Sequence, residues 1–163
     1  MKTLNFKKGF TLIEIMIVTA IIALISVTIG VSFSVVSSRY LETQTQKLAG
    51  DLSWVRAMAR ATRQDYLINF DVDGDTTLDG SYTIFKIDPD GIEPDSIVGR
   101  KKIDVDGLVL QSAPGTTEFS FNHVSGGLNS AIADPLVIEL WRRGARANIT
   151  IRSLTGHISW ERL

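Results

Sequence analysis

Residues 7–36 read KKGFTLIEIMIVTAIIALISVTIGVSFSVV, and the 22 residues from Ile15 to Val36 carry no charge. A helix needs roughly 20 predominantly apolar residues to cross the hydrocarbon core of a bilayer. This stretch therefore reads as one membrane-spanning helix, and the rest of the chain has to be understood from what it anchors. Its flanks are unequal. Lys2, Lys7 and Lys8 precede it, and the first charges after it are Arg39 and Glu42. The cationic flank stays on the cytoplasmic side, so the C-terminal part is exported.

A basic segment before an apolar one also describes a secretory signal peptide. Two features separate this chain from that class. The apolar run exceeds the 7–15 residues of a usual signal core. An acidic residue, Glu14, stands at its start. A carboxylate in an apolar core costs a few kcal/mol or more and marks function by default.

From Ser37 to Arg63 there is no proline and one glycine, Gly50. Leu41, Leu48, Leu52, Val55 and Ala59 fall on one helical face, while Glu42, Gln44, Lys47, Asp51, Arg56, Arg60 and Arg63 occupy the others. The spacing predicts an amphipathic helix continuous with the apolar one, roughly 50 residues or about 75 Å long. Gly30 and Gly50 are its candidate bends.

Beyond Gln64 the period changes to that of strands. Candidates are Tyr66–Asp71, Ser81–Ile87, Val98–Val105, Leu108–Gln111, Glu118–Asn122, Leu136–Trp141, Ala147–Arg152 and His157–Glu161. Apolar residues alternate at Phe119/Phe121, Ile138/Leu140, Ile149/Ile151 and Ile158/Trp160. The expected fold is α+β: a long N-terminal helix, transmembrane in its first half and amphipathic in its second, packed on a C-terminal antiparallel β-sheet domain. The expected divisions are 1–9, 10–36, 37–64 and 65–163.

Composition removes several function classes. There is no cysteine, which excludes a disulfide scaffold, a thiolate zinc site and a cysteine nucleophile. The histidines are His123 and His157 alone. Lys+Arg number 17 against 18 Asp+Glu, so no strong overall field draws nucleic acid or lipid. No nucleophile set and no phosphate loop after a strand is present, and no enzyme activity is expected.

Gly9-Phe10-Thr11-Leu12-Ile13-Glu14-Ile15-Met16-Ile17-Val18, behind paired lysines, resembles the processing site of type IV prepilins and type II secretion pseudopilins. The resemblance implies that a prepilin peptidase cuts after Gly9 and N-methylates Phe10, leaving residues 1–9 as a leader peptide. It implies a single-pass inner-membrane subunit, N-terminus cytoplasmic and C-terminal domain periplasmic, assembled with other pseudopilins or pilins in a filament. The physics agrees. The new amine of Phe10 lies four residues from Glu14, on the same helical face. Glu14 then pairs with that amine, its own or a neighbour's, and a neighbour's is at the right depth only in correct register. The Phe-x-Phe-x-x-x-x-Gly segment from Phe119 to Gly126 and the terminal Thr155-Gly156-His157-Ile158 are similar to the GspH/FimT group of minor pseudopilins, which places the chain in type II secretion. A minor type IV pilin is the alternative within the class.

Two further patterns suggest ligands. Asp71, Asp73, Asp75 and Asp79 match part of a calcium loop, but the glycine, Gly74, is at the fourth position where the loop needs it at the sixth, and Tyr82 holds the twelfth in place of Glu, so an acidic turn is the plainer reading and no cofactor is required. Arg142, Arg143, Arg146 and Arg152 cluster near Trp141 and Trp160, the combination that binds a nucleic-acid backbone and stacks on bases. Some FimT-type pilins are DNA receptors, but where they resemble Gly-Arg-x-Arg this chain has Gly156-His157-Ile158-Ser159, and nucleic acid is not expected as a partner.

Overall fold

The computed structural model describes residues 10–70, 78–88, 90, 96–111, 115–129 and 134–163, with the side chains of residues 27–35 outside the description. Helix α1 runs Leu12–Thr62. Eight strands follow: β1 Tyr66–Asn69, β2 Ser81–Lys86, β3 Ser96–Lys102, β4 Gly107–Leu110, β5 Glu118–Phe121, β6 Leu136–Arg142, β7 Ala145–Ile151 and β8 Ile158–Arg162. The chain divides into two compact units, residues 1–36 and 37–163. The amphipathic half of the helix falls in the same compact unit as the strands.

The strands make two four-stranded sheets, where the alternation pattern suggested one. Their orders are β3-β2-β1-β5 and β4-β6-β7-β8, antiparallel throughout. Alternation fixes which face of a strand is buried, but it is silent on which strand lies beside it. The crossing points are β4, which opens the second sheet, and β5, which returns to pair with β1. Strand β3 begins at Ser96 and ends at Lys102, so Ile103 and Val105 are buried from the connection that follows it.

The helical face read from the sequence is the buried one. Leu41, Leu48, Leu52, Val55 and Ala59 join Tyr66, Ile68, Tyr82, Ile84, Phe119 and Phe121 of the first sheet and Leu136, Ile138, Leu140, Ile149 and Ile151 of the second in a single core cluster. Phe119 lies edge-on to Phe121 at 5.7 Å, and Phe70 packs between Tyr82 and Phe119 at 5.7 and 6.0 Å. Each such side chain contributes about 1.5–3 kcal/mol by leaving water. One polar residue interrupts the stripe: Thr45 is fully buried, and its hydroxyl donates to the Leu41 carbonyl at 2.9 Å, which satisfies it inside the helix.

Local chemistry sets the ends. Arg63 adopts a left-handed conformation (φ 54°), and the Gln64 N–H returns to the Ala59 carbonyl, the six-to-one bond that closes a helix C-terminus. Arg143 and Gly144 both have positive φ, as a two-residue turn matching the twist of β6 and β7 requires. Polar contacts pin the helix to the strands beyond the core. Asp51 accepts from Tyr82 Oη and pairs with Lys101, which also lies over the Trp54 ring. Asp104 accepts from Tyr40 Oη at 2.9 Å and pairs with Arg142 at 2.7 Å; the guanidinium holds its carboxyl below the usual range and stacks 4.1 Å from the Tyr40 ring.

Leu52 is fully buried at the middle of the helical face. Leu52→Ala is expected to destabilise the C-terminal unit by about 2–5 kcal/mol, read as a lower thermal midpoint in detergent.

Candidate functional site

Phe10 and Thr11 precede the first helical residue, Leu12. The Thr11 hydroxyl accepts a hydrogen bond from the Glu14 N–H at 3.3 Å, and the Thr11 carbonyl accepts from the same N–H and from that of Ile15. Thr11 is therefore the N-cap and Glu14 the third helical residue, the Thr-x-x-Glu pattern of a capping box. Sequence reasoning singled out Glu14 and passed over Thr11, although the pattern Thr11-Leu12-Ile13-Glu14 was there to find it. A carboxylate in the first turn also faces the positive end of the helix dipole.

Around it every described large apolar side chain from Phe10 to Ile25 is exposed, Phe10 by 78%. The polar residues among them are satisfied within the helix: Thr19 Oγ1 donates to the Ile15 and Met16 carbonyls, both at 3.0 Å, and Ser26 Oγ to Ile22 at 2.7 Å. Internal satisfaction of this kind is what an apolar environment demands. Among the described residues no helix is long and apolar enough to cross a membrane. The uncharged run Ile15–Val36 includes residues 27–35, whose side chains are outside the description. Gly9 also lies outside the described residues.

The acidic loop and the arginines fare differently. Asp71, Asp73 and Asp75 lie outside the described residues. Asp79 is engaged within the fold: its carboxylate pairs with Lys102 at 2.6 Å and accepts from the Ser81 N–H at 2.9 Å, and the Lys102 contact holds its pKa at about 2. No cluster of three or more His, Asp or Glu able to hold a metal occurs among the described residues. The four arginines do not converge. Arg142 is taken by Asp104 and the Tyr40 ring, Arg146 pairs with the buried Glu139 at 3.1 Å, and Arg143 sits in the β6–β7 turn with its N–H on Asp106. Arg152 follows the far end of β7, about 20 Å from Arg146 along the strand. Trp141 lies across from Arg146 with its ring against Gly107, where no Cβ fits.

Where the helix ends, Asp65 accepts from His123 N at 2.8 Å and contacts His123 Nδ1 at 2.6 Å and Asn129 Nδ2. Burial raises the Asp65 pKa, but the contacts with His123 and Asn129 outweigh it and the net shift is downward. A depressed carboxylate contributes stability above its unfolded value, 3.8, and loses it as pH falls through the folded value. Asp65→Asn is therefore expected to flatten the stability profile below about pH 4, measured by denaturant unfolding across pH.

The family model of the prokaryotic N-terminal methylation motif matches residues 4–30. Among solved structures, the type IV minor pilin FimU of Pseudomonas aeruginosa is similar in two crystal forms. One has 17% identity and a TM-score of 0.53 over 74% of this chain and 91% of that one; the other has 16% and 0.57 over 74% and 87%. The minor pseudopilin EpsH of the Vibrio cholerae type 2 secretion system has 13% identity and a TM-score of 0.53, over 77% of this chain and 97% of that one. The fold is pilin-like. Comparison with curated protein sequences gives no match. At these identities the structural likeness speaks for the pilin-like fold alone, a long N-terminal helix followed by antiparallel sheets.

Proposed function

We propose that this pilin-like chain is a minor pseudopilin of a type II secretion pseudopilus. In this reading prepilin peptidase removes residues 1–9 and N-methylates Phe10. Residues 10–36 hold the chain in the inner membrane by a single pass, N-terminus cytoplasmic, and residues 37–64 carry the domain 65–163 in the periplasm. The observation that carries the reading is the capped first turn. Thr11 fixes Glu14 at the third helical position, beside the residue whose amine appears on cleavage. Outside a filament that carboxylate stands among exposed apolar side chains. A neighbouring subunit supplies the compensating amine only in register, so the cost of an unpaired membrane charge becomes a driving force for assembly.

Type II secretion is supported by the EpsH likeness, which takes in nearly the whole of that chain. The minor type IV pilin is the second reading, supported by the FimU likeness. Deleting the gene in its own host separates them. The first predicts loss of secreted exoproteins with surface pili intact. The reverse outcome, pili lost and secretion intact, overturns it.

A further inference from the structure

At the end of the C-terminal unit where α1 stops, two tight turns meet: residues 122–127 after β5 and 152–157 between β7 and β8. Gly126 and Gly156 have φ of 71° and 64°, and a Cβ on Gly156 would overlap the Gly126 carbonyl oxygen, so the two backbones touch. Arg56 of α1 donates Nε to the Gly126 carbonyl at 3.1 Å and Nη2 to that of Thr155 at 2.7 Å. The Leu128 N–H donates to Ser153 at 2.7 Å, and the Asn122 side chain accepts from the Val124 and Ser125 N–H groups. Both turns are held from beneath by the helix and from within by their own hydrogen bonds.

On these fixed turns stand two large apolar side chains, Val124 at 77% exposure and Leu154 at 81%. Arg60 passes along Gly126, and Arg152 stands at the base of the second turn. Among the described residues neither arginine side chain has an ion-pair partner. Asp65 is held by His123 and Asn129, and Asp134 accepts from the Ser153 N–H. Rigid apolar knobs bordered by arginines outside any ion pair are the elements of a protein interface hot spot, in which anchors enter a recess and arginines meet its rim.

We propose that this end of the molecule docks another protein, one presenting an apolar recess rimmed by carboxylates. The chemistry favours protein over nucleic acid. A phosphate backbone satisfies the arginines but leaves both knobs in water. It favours protein over lipid because a fluid headgroup layer gains nothing from turns pinned this firmly.

The test places a photo-crosslinking amino acid at Val124 or Leu154 of the full-length chain in its own cells. The expected result is one discrete adduct from either position, stable to nuclease, whose second component is a protein crosslinked beside Asp or Glu. Arg60→Glu combined with Arg152→Glu should lower its yield at least about tenfold, since like charges then face each other across the rim. Changing the mapped partner carboxylate to Lys should restore it. No adduct, an adduct that nuclease removes, labelling of lipid alone, or a yield indifferent to the charge reversals would overturn the proposal. Thermal unfolding of the double variant controls for folding, and Arg60→Ser with Arg152→Ser replaces it if the midpoint falls. Filament incorporation, read in the same cells, keeps failure of docking distinct from failure of assembly.

Discussion

Glu14→Ala is expected to leave the chain in the membrane and reduce its incorporation into filaments by at least about tenfold, because an ion pair in low dielectric worth a few kcal/mol corresponds to tens- to hundreds-fold in an equilibrium. Membrane fractionation and quantification in sheared filaments measure the two quantities separately. Glu14→Gln should fail similarly. It keeps the length and the capacity to hydrogen-bond, but a neutral amide cannot neutralise the Phe10 amine of a neighbour. Thr11→Ala, which removes the hydroxyl that accepts from the Glu14 N–H, should weaken the first turn by about 1 kcal/mol. Normal incorporation of both Glu14 variants would refute the register mechanism and leave the apolar surface of Phe10–Ile25 as the sole assembly element.

The second large effect is structural. Gly156→Ala is expected to cost the C-terminal unit about 3 kcal/mol or more. The added Cβ overlaps the Gly126 carbonyl oxygen and lies close to Arg56 Nε, so the two turns must separate and the Arg56 hydrogen bonds stretch. Overpacking of this kind costs about 1–3 kcal/mol, and a left-handed backbone adds roughly 1–2 kcal/mol for a residue bearing a Cβ. A fall in the thermal midpoint of roughly 10 °C follows for a unit of this size, measured by circular dichroism on the detergent-solubilised chain. Gly144→Ala is the internal comparison. It carries the same backbone penalty (φ 83°), but nothing lies within 4 Å of the added atom, so its cost should be the conformational part alone.

These two sites show what the residues disclose in order and what they disclose only when folded. The helix was legible because its signals are local: an uncharged run, a stripe at 41, 48, 52, 55 and 59, and a glycine-phenylalanine junction before a lone carboxylate. The eight strands were legible, four from alternation and the others from the turn residues that bound them, though β3 begins and ends earlier than its sequence suggested. The split into two sheets was not, because strand partnership depends on contacts distant in sequence, such as Tyr66 with Phe121 and Val109 with Glu139. The meeting of Gly126 and Gly156 was hidden for the same reason. Each reads as an ordinary turn residue until the fold stacks one turn on the other and threads Arg56 beneath them. The arginines near the C-terminus teach the converse. Arg142, Arg146 and Arg152 look like a cluster along the chain, yet Asp104 and Glu139 take two of them and the length of β7 removes the third. Arg60 and Arg152 meet the same pair of touching turns though 92 positions separate them in the sequence.

Processing at the junction of Gly9 and Phe10 is the premise on which the Glu14 mechanism rests, and mass spectrometry of the mature chain from its own host tests it directly. The account predicts a protein that begins at Phe10 and carries one methyl group on its N-terminal amine. A chain that keeps residues 1–9, or an unmethylated chain that starts near residue 32, would contradict it.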